Sequence, residues 1–394
     1  MLILTGMTSL IIVAISLVEF IVLTRFYPVE VFGEFAIVML SISLVGLFGN
    51  GLFSQIFLKR KYICMPSLLP FLPYLIGIQF AFSCALLSLF LPRLLDNLVY
   101  NFVLISVSSN LIFSCLESSY IKRGNIQKIN IWQILAVSVG ALGSTTAAYF
   151  SLAEGLVVMT AALGLKSIVL LSGLYRKKLL GMRQASFTRR VKYYRFCILK
   201  YGGYFYSSCL GYLVVNTDRW YAVAISSTEN FALYSKAYQF LNVPVVFLNR
   251  MVAKDLQYRL LLGRSIVRVA KILLISAIAI TVILFSFGEY LVVFVLGDQW
   301  RATGSLLVML GMLLVPKFLL KLVDVYIRAN HEGSIYLGFH FLQFSALGML
   351  ITLLLPATVE QLAKVLIISS YLSFTVAALM LVFKRNISQK IPTE

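Results

Sequence analysis

Residues Arg176 to Lys200 read RKKLLGMRQASFTRRVKYYRFCILK, with nine Lys or Arg and no Asp or Glu. On both sides of this stretch the chain is apolar for most of its length. Sixty per cent of the 394 residues are hydrophobic and 12% are charged, whereas soluble domains carry roughly a quarter charged residues. Apolar runs recur that are long enough to cross a hydrocarbon core of about 30 Å at about 1.5 Å per residue. Upstream they fall at Ile3–Leu23, Phe35–Leu58, Leu68–Leu91, Leu98–Ile121, Ile131–Phe150 and Gly155–Tyr175, here spans 1 to 6. Downstream they fall at Tyr201–Ile225, Phe231–Ala253, Lys271–Leu296, Ser305–Ile327, Ile335–Leu355 and Gln361–Phe383, spans 7 to 12. The expected fold is an all-α membrane protein with about 12 transmembrane helices. Residues 1–175 form a first six-helix bundle, 176–200 a basic cytoplasmic linker, and 201–394 a second bundle with a short cytoplasmic tail. Span 1 has no cleavage-site pattern and no charged segment before it, so it is read as a retained helix.

The formal net charge of +19 would point to nucleic acid in a soluble protein, but its placement along this chain explains it differently. With the N-terminus in the cytoplasm, the inner loops hold Lys59–Lys61, Lys122, Arg123, Lys128, the nine of Arg176–Lys200, five from Lys254 to Lys271, Arg328, Lys384, Arg385 and Lys390. The outer loops hold Arg25, Arg93, Arg301 and Lys364. This alternation follows the positive-inside rule and puts both termini in the cytoplasm. No nucleic-acid partner is needed to account for the charge.

Five cysteines, Cys64, Cys84, Cys115, Cys197 and Cys209, have no paired spacing, and His331 and His340 stand nine residues apart. Neither a disulfide framework nor a zinc site follows. The sequence shows no phosphate loop, nucleophile elbow or metalloprotease signature. No cofactor and no enzymatic activity are expected.

The two halves show a repeat. At an offset of 199 residues, Pro28-Val-Glu-Val-Phe-Gly-Glu-Phe35 aligns with Ser227-Thr-Glu-Asn-Phe-Ala-Leu-Tyr234, pairing Glu30 with Glu229 and Phe32 with Phe231. Glu19 in span 1 then falls on Asp218 in span 7. With six spans per half the repeats share one orientation, as in transport proteins whose halves are related about the membrane normal.

Ionisable residues also lie within the spans: Glu19, Glu117, Lys166, Asp218, Arg219, Lys236, Arg250, Lys317, Lys321 and Asp324. Each costs at least ~2.5–3.5 kcal/mol at bilayer depth, so such groups normally face a bundle interior or a wet cavity. Lys317, Lys321, Asp324 and Arg328 fall at i, i+4, i+7 and i+11, one narrow stripe of a helix. Thr5, Ser9, Ser16 and Glu19 make a similar stripe, as do Asn110, Ser114 and Glu117, and Lys236, Gln239 and Arg250. Span 7 carries Tyr201, Tyr204, Tyr206 and Tyr212 and ends in Asn216-Thr-Asp-Arg-Trp220. One reading is a basic, hydrophilic cavity lined by spans 1, 7, 8 and 10 and suited to an anionic solute. The other is a set of structural ion pairs, with Asp324 spaced to meet Lys321 or Arg328. Lys166 and Arg250 are placed to snorkel toward headgroups, the two histidines are read as incidental, and Pro244 and Pro316 suit kinks or plain packing equally.

Three segments resemble the Wzx-type polysaccharide flippases of the multidrug/oligosaccharidyl-lipid/polysaccharide exporter superfamily. They are Leu23-Thr-Arg-Phe-Tyr-Pro-Val-Glu-Val-Phe-Gly-Glu-Phe35, Asn216-Thr-Asp-Arg-Trp220 with Phe231-Ala-Leu-Tyr-Ser-Lys-Ala-Tyr238, and Leu296-Gly-Asp-Gln-Trp300. The resemblance spans both halves. It implies two six-helix bundles around a central cavity, and movement of an undecaprenyl-pyrophosphate-linked oligosaccharide, such as an O-antigen repeat unit for lipopolysaccharide, across the bacterial cytoplasmic (inner) membrane. It also implies membrane lipids as surroundings, and a polysaccharide polymerase and chain-length machinery as partners. On this reading Arg219, Lys236, Arg250, Lys317 and Lys321 hold the anionic head group, while Glu19, Asp218 and Asp324 are the candidates for ion coupling. Two rivals stand beside it. A multidrug or organic-cation exporter of the same superfamily should show a carboxylate excess among aromatic faces. A membrane polymerase or ligase should carry a large outer loop, whereas the longest outer segment, near Gly288–Gly304, is small and apolar.

Overall fold

The computed structural model describes residues 2–59, 101–107, 126–174, 209–261, 267–330 and 333–388, with scattered positions between 81 and 113 and residue 206. Among the described residues the secondary structure is helical, without strands. The elements are α1 (Leu2–Leu23), α2 (Val29–Lys59), α3 (Ile126–Tyr149), α4 (Gly155–Leu174), α5 (209–225), α6 (Thr228–Leu261), α7 (Val267–Leu296), α8 (Arg301–Gly311), α9 (Leu314–Asn330), α10 (Gly333–Leu354) and α11 (Val359–Ser388). Helices thus coincide with spans 1, 2 and 5 to 12, and residues 101–107 are helical within span 4. Apart from positions 81, 85 and 88, span 3 lies outside the described residues, as does the basic linker 176–200. The chain divides into two compact units, Ile3–Tyr212 and Leu213–Glu394.

Local rules account for the helix starts. Ser227 Oγ accepts from the Asn230 amide and caps α6, while Glu229 sits in its first turn, where a carboxylate complements the helix dipole. At α11 Thr358 Oγ1 accepts from the Gln361 amide, and Gln361 Oε1 accepts from the Ala357 amide, a reciprocal arrangement of the capping-box kind.

The repeat read from the sequence recurs in three dimensions. Val29 and Thr228, which open α2 and α6, are 199 residues apart. Phe32 and Phe231 are both buried, as are Val38 and Ala237, whereas Glu30 and Glu229 are both exposed. The likeness extends past the stretch where sequence showed it. Ser151 and Leu355 both take positive φ, 50° and 41°, just before α4 and α11, and these helices open at Gly155 and Val359, each pair 204 residues apart. In each unit a tyrosine also bonds this short connection: Tyr27 OH, from the bend after α1, donates to Ala153 O at 3.4 Å, and Tyr221 OH, from α5, to Pro356 O at 3.2 Å.

The surface is the reverse of a soluble protein's. In α7 only 11% of the most apolar stretch is buried, leaving Ile275, Val282, Phe285 and Phe294 more than half exposed. A continuous apolar face of this length is stable only against lipid. Among the described residues five helices, α3, α4, α7, α10 and α11, are long and apolar enough to cross a bilayer, and α8 with α9 makes a sixth if the bent pair is one span. The chain is a multi-pass membrane protein.

Span 10 is the broken one. Its axis turns by 51° between α8 and α9, and Pro316 supplies the cause. Lacking an amide hydrogen, Pro316 leaves the Met312 carbonyl without its helical donor. Tyr371 OH takes that place at 3.4 Å, and Thr281 Oγ1 reaches the neighbouring Gly311 carbonyl at 3.2 Å. Of the two prolines, Pro316 stands at a break, while Pro244 lies inside the continuous α6.

Gly304 sets the approach of α8 to α7. A methyl group there would stand 2.6 Å from the backbone Cα of Glu289. Gly304→Ala is therefore expected to lower the thermal midpoint of the detergent-purified protein, by roughly 1–3 kcal/mol of stability. Gly338→Ala, where nothing lies within 4 Å, should be neutral or stabilising by up to about 1 kcal/mol.

Candidate functional site

Unit 2 gathers polar groups from α5, α6 and α9 around one tyrosine. Tyr234, Tyr238 and Asn242 stand at i, i+4 and i+8 on α6 and so share a face. Tyr234 and Asp218 are wholly buried and bonded, the phenol donating to Asp218 Oδ2 at 2.7 Å. The second carboxylate oxygen, Oδ1, is buried and has no hydrogen-bond partner among the described residues. The Arg219 guanidinium lies over the Tyr238 ring, its Cζ 4.2 Å from the centroid. Lys317 Nζ lies over the same ring at 3.9 Å and donates to Asn242 Oδ1 at 3.4 Å.

This arrangement follows from the cost of desolvated charge. Tyr238 is 3% exposed and Arg219 and Lys317 are partly buried, and the negative face of the ring supplies part of the hydration these cations lose. Asp218 opposes both cations electrostatically, but one carboxylate cannot neutralise two. Arg219 Nε is likewise buried without a hydrogen-bond partner, and its NH1 reaches only Asn216 Oδ1, at 3.5 Å. The cluster thus holds an excess positive charge and unused hydrogen-bonding capacity. Unused donors of this kind are chemically complementary to the acceptor oxygens of an anion.

Not every basic residue singled out by helical phase belongs to this cluster. Lys321 bonds Asp324 at 2.6 Å within its own helix, so the i, i+3 spacing forms an ion pair and removes Lys321 from the free cations of the stripe. Lys236 is buried and donates to Gln239 Oε1 at 3.1 Å. Arg250 is helical within α6, but its side chain lies outside the described residues, as do Asn110, Ser114, Glu117, His331, Tyr201 and Tyr204. Tyr206 is exposed, and Tyr212 donates to the Leu40 carbonyl at 3.1 Å. His340 packs against Phe339, ring centres 5.4 Å apart.

In unit 1 the polar centre is Glu19. Lys166 Nζ reaches both of its carboxylate oxygens, at 2.8 and 3.1 Å, and Ser144 Oγ donates to Oε1 at 2.8 Å. Lys166 was expected to snorkel, but a buried carboxylate within reach is the stronger partner. Among the described residues no three of His, Cys, Asp or Glu gather as a metal site would require.

Sequence reading missed the two tyrosines, Asn242 and Ser144. The α6 stripe was available in the spacing of Tyr234, Tyr238 and Asn242. The contact of Ser144 with Glu19 joins positions 125 residues apart, and no local signal carries it.

No protein-family model matches the chain, and no curated protein sequence does. Solved structures share its fold at low sequence identity. An inward-facing multidrug resistance MATE family transporter of the MOP superfamily is 12% identical with a TM-score of 0.74, covering 96% of each chain. The lipid II flippase MurJ, in an inward closed conformation, is 12% identical with a TM-score of 0.77, covering 96% of this chain and 86% of that one. A MOP superfamily transporter from Pyrococcus furiosus, described by the reverse polarity of its binding pocket, is 12% identical with a TM-score of 0.65, covering 99% and 96%.

The buried bond between Tyr234 and Asp218 is testable by a double-mutant cycle. Tyr234→Phe should cost about 1–3 kcal/mol by stranding the carboxylate. In an Asp218→Asn background the same change should cost less, with a coupling energy of roughly 0.5–3 kcal/mol. Thermal or denaturant unfolding in detergent measures both.

Proposed function

We propose that this chain is a transporter of the flippase kind, moving a lipid-linked oligosaccharide with an anionic diphosphate, carried on undecaprenol, across the bacterial cytoplasmic membrane by alternating access. The observation that carries the proposal is the pair of cations over Tyr238 opposed by a single carboxylate. A saccharide head group cannot enter hydrocarbon without losing its hydrogen bonds, and a diphosphate requires Arg and Lys donors. In this reading Arg219 and Lys317 hold the diphosphate, and Lys236 and Arg250 assist from α6. Lys321 joins only when its bond to Asp324 opens. Among the candidates for ion coupling, Asp218 tunes the head-group site, Asp324 acts through Lys321, and Glu19 works in unit 1. The product feeds surface polysaccharide such as the O-antigen of lipopolysaccharide, with a polymerase and chain-length machinery acting on it afterwards. Both termini lie in the cytoplasm.

The shared fold with a lipid II flippase and a multidrug transporter supports transport over catalysis and leaves two substrate classes. The charge balance of the cluster favours the anionic one. A site for organic cations sets carboxylates beside aromatic faces, and here cations occupy the aromatic face. Pocket polarity is also the distinguishing feature of the Pyrococcus furiosus protein of the same fold.

Deleting the gene should cause lipid-linked repeat units to accumulate and surface polysaccharide to disappear. Wild type should restore it, while Arg219→Ala and Lys317→Ala at equal membrane abundance should lower restoration at least tenfold, the loss of one charged hydrogen bond. Retained polysaccharide with new sensitivity to cationic drugs would favour the exporter.

A further inference from the structure

The two units carry equivalent carboxylates but balance them differently. Glu19 and Asp218 share a register in the repeat, and both are buried. Asp218 keeps an oxygen without a hydrogen-bond partner among the described residues. Glu19 is enclosed: Lys166 Nζ bonds both of its oxygens and Ser144 Oγ bonds one of them again. Three helices, α1, α3 and α4, converge to make this site. The position equivalent to Lys166 in unit 2, taking the 199-residue or the 204-residue offset, is Val365 or Ser370. The lysine therefore belongs to unit 1 alone.

The backbone is shaped to let that lysine arrive. Its stem crosses α3 at Gly140, where a Cβ would stand 2.2 Å from Lys166 Cγ and 2.3 Å from its Cε. Any side chain at position 140 would have to displace the lysine stem. The approach from the surrounding membrane offers a solvent cation little in return. A groove of about 800 Å³ between α1 and α3 runs past Glu19, but its walls are mainly apolar, Ile15, Val18, Val22, Leu142 and Phe150 among them, with hydroxyls only from Ser138, Thr145, Thr146 and Tyr149. A hydrated cation entering there would lose its water and find few oxygens to replace it.

We propose that Lys166 is a tethered counter-cation for Glu19, occupying the place in which a small monovalent cation would otherwise bind, so that unit 1 carries its own positive charge and needs no sodium from solution. Conformational change in unit 1 then works by making and breaking the Lys166–Glu19 bond, with Ser144 holding the carboxylate while the ammonium leaves. This inference rests on the transport reading only for its purpose. The ion site itself can be tested without any substrate.

The experiment is thermal unfolding of the full-length protein in detergent, with sodium chloride exchanged for choline chloride at constant ionic strength. Wild type should show the same midpoint in both salts. Lys166→Met should unfold earlier in choline and recover in sodium, its midpoint rising by about 1–2 °C for each tenfold increase above the binding range. Gly140→Ala, which keeps the lysine but displaces it, should show the same sodium response in weaker form, and Glu19→Gln combined with Lys166→Met should abolish it. A wild type stabilised by sodium relative to choline would overturn the proposal, as would Lys166→Met and Gly140→Ala responding no more than wild type. Because the readout is independent of substrate, failure here leaves the flippase reading intact, and failure of that reading leaves this one standing.

Discussion

Charge in a medium that cannot hydrate it is the constraint on which this structure depends. Each described charged residue of the two sites meets a specific answer. Glu19 has Lys166 and Ser144, Asp324 has Lys321, and Asp218 has Tyr234. Arg219 and Lys317 have the face of Tyr238. Removing the partner of a buried ion pair, as Lys166 is to Glu19, leaves a carboxylate unpaired in a medium that cannot hydrate it, a loss of roughly 3–5 kcal/mol. The same economy explains the break in span 10. A proline that frees a carbonyl inside a membrane is tolerated because a tyrosine hydroxyl on α11 replaces the missing amide, and Lys317 follows Pro316 directly in sequence.

The repeat makes the differences between the halves informative. Two units of common design begin their second helices in the same register and close their last helix pair through the same left-handed residue. On that shared scaffold the position of Tyr234 corresponds to Phe35, which has no hydroxyl to offer Glu19. The carboxylate of unit 1 has turned to a lysine and a serine, and that of unit 2 to a tyrosine that leaves it partly unsatisfied. We assign these as two roles, a closed ion pair for conformational work in one half and an open, basic head-group site in the other.

Much of the fold was legible because hydrophobic length and charge alternation are one-dimensional signals. Apolar runs located the helices, and the offset of 199 residues anticipated the register of α2 and α6. The second repeat junction escaped notice because a shift to 204 residues breaks a fixed-offset alignment, and because Ser151 and Leu355 share a backbone conformation and not a side chain. At the site, helical phase found Lys317 and placed Lys321 beside it. Phase says which face a residue occupies but not whether a neighbour on that face has claimed it, as Asp324 has claimed Lys321. Lys166 was misread for the complementary reason. Its partner lies 147 residues away, and without tertiary contacts a lysine inside a span looks free to snorkel.

Reconstituted transport tests the central claim most directly. The purified protein would be placed in liposomes containing a fluorescent undecaprenyl-pyrophosphate-linked saccharide, with leaflet exchange followed by quenching from outside, beside parallel vesicles loaded with a cationic dye. The account predicts protein-dependent movement of the saccharide lipid, lost in Lys317→Ala, and no movement of the dye. Transport of the dye with the saccharide lipid left in its original leaflet would contradict it.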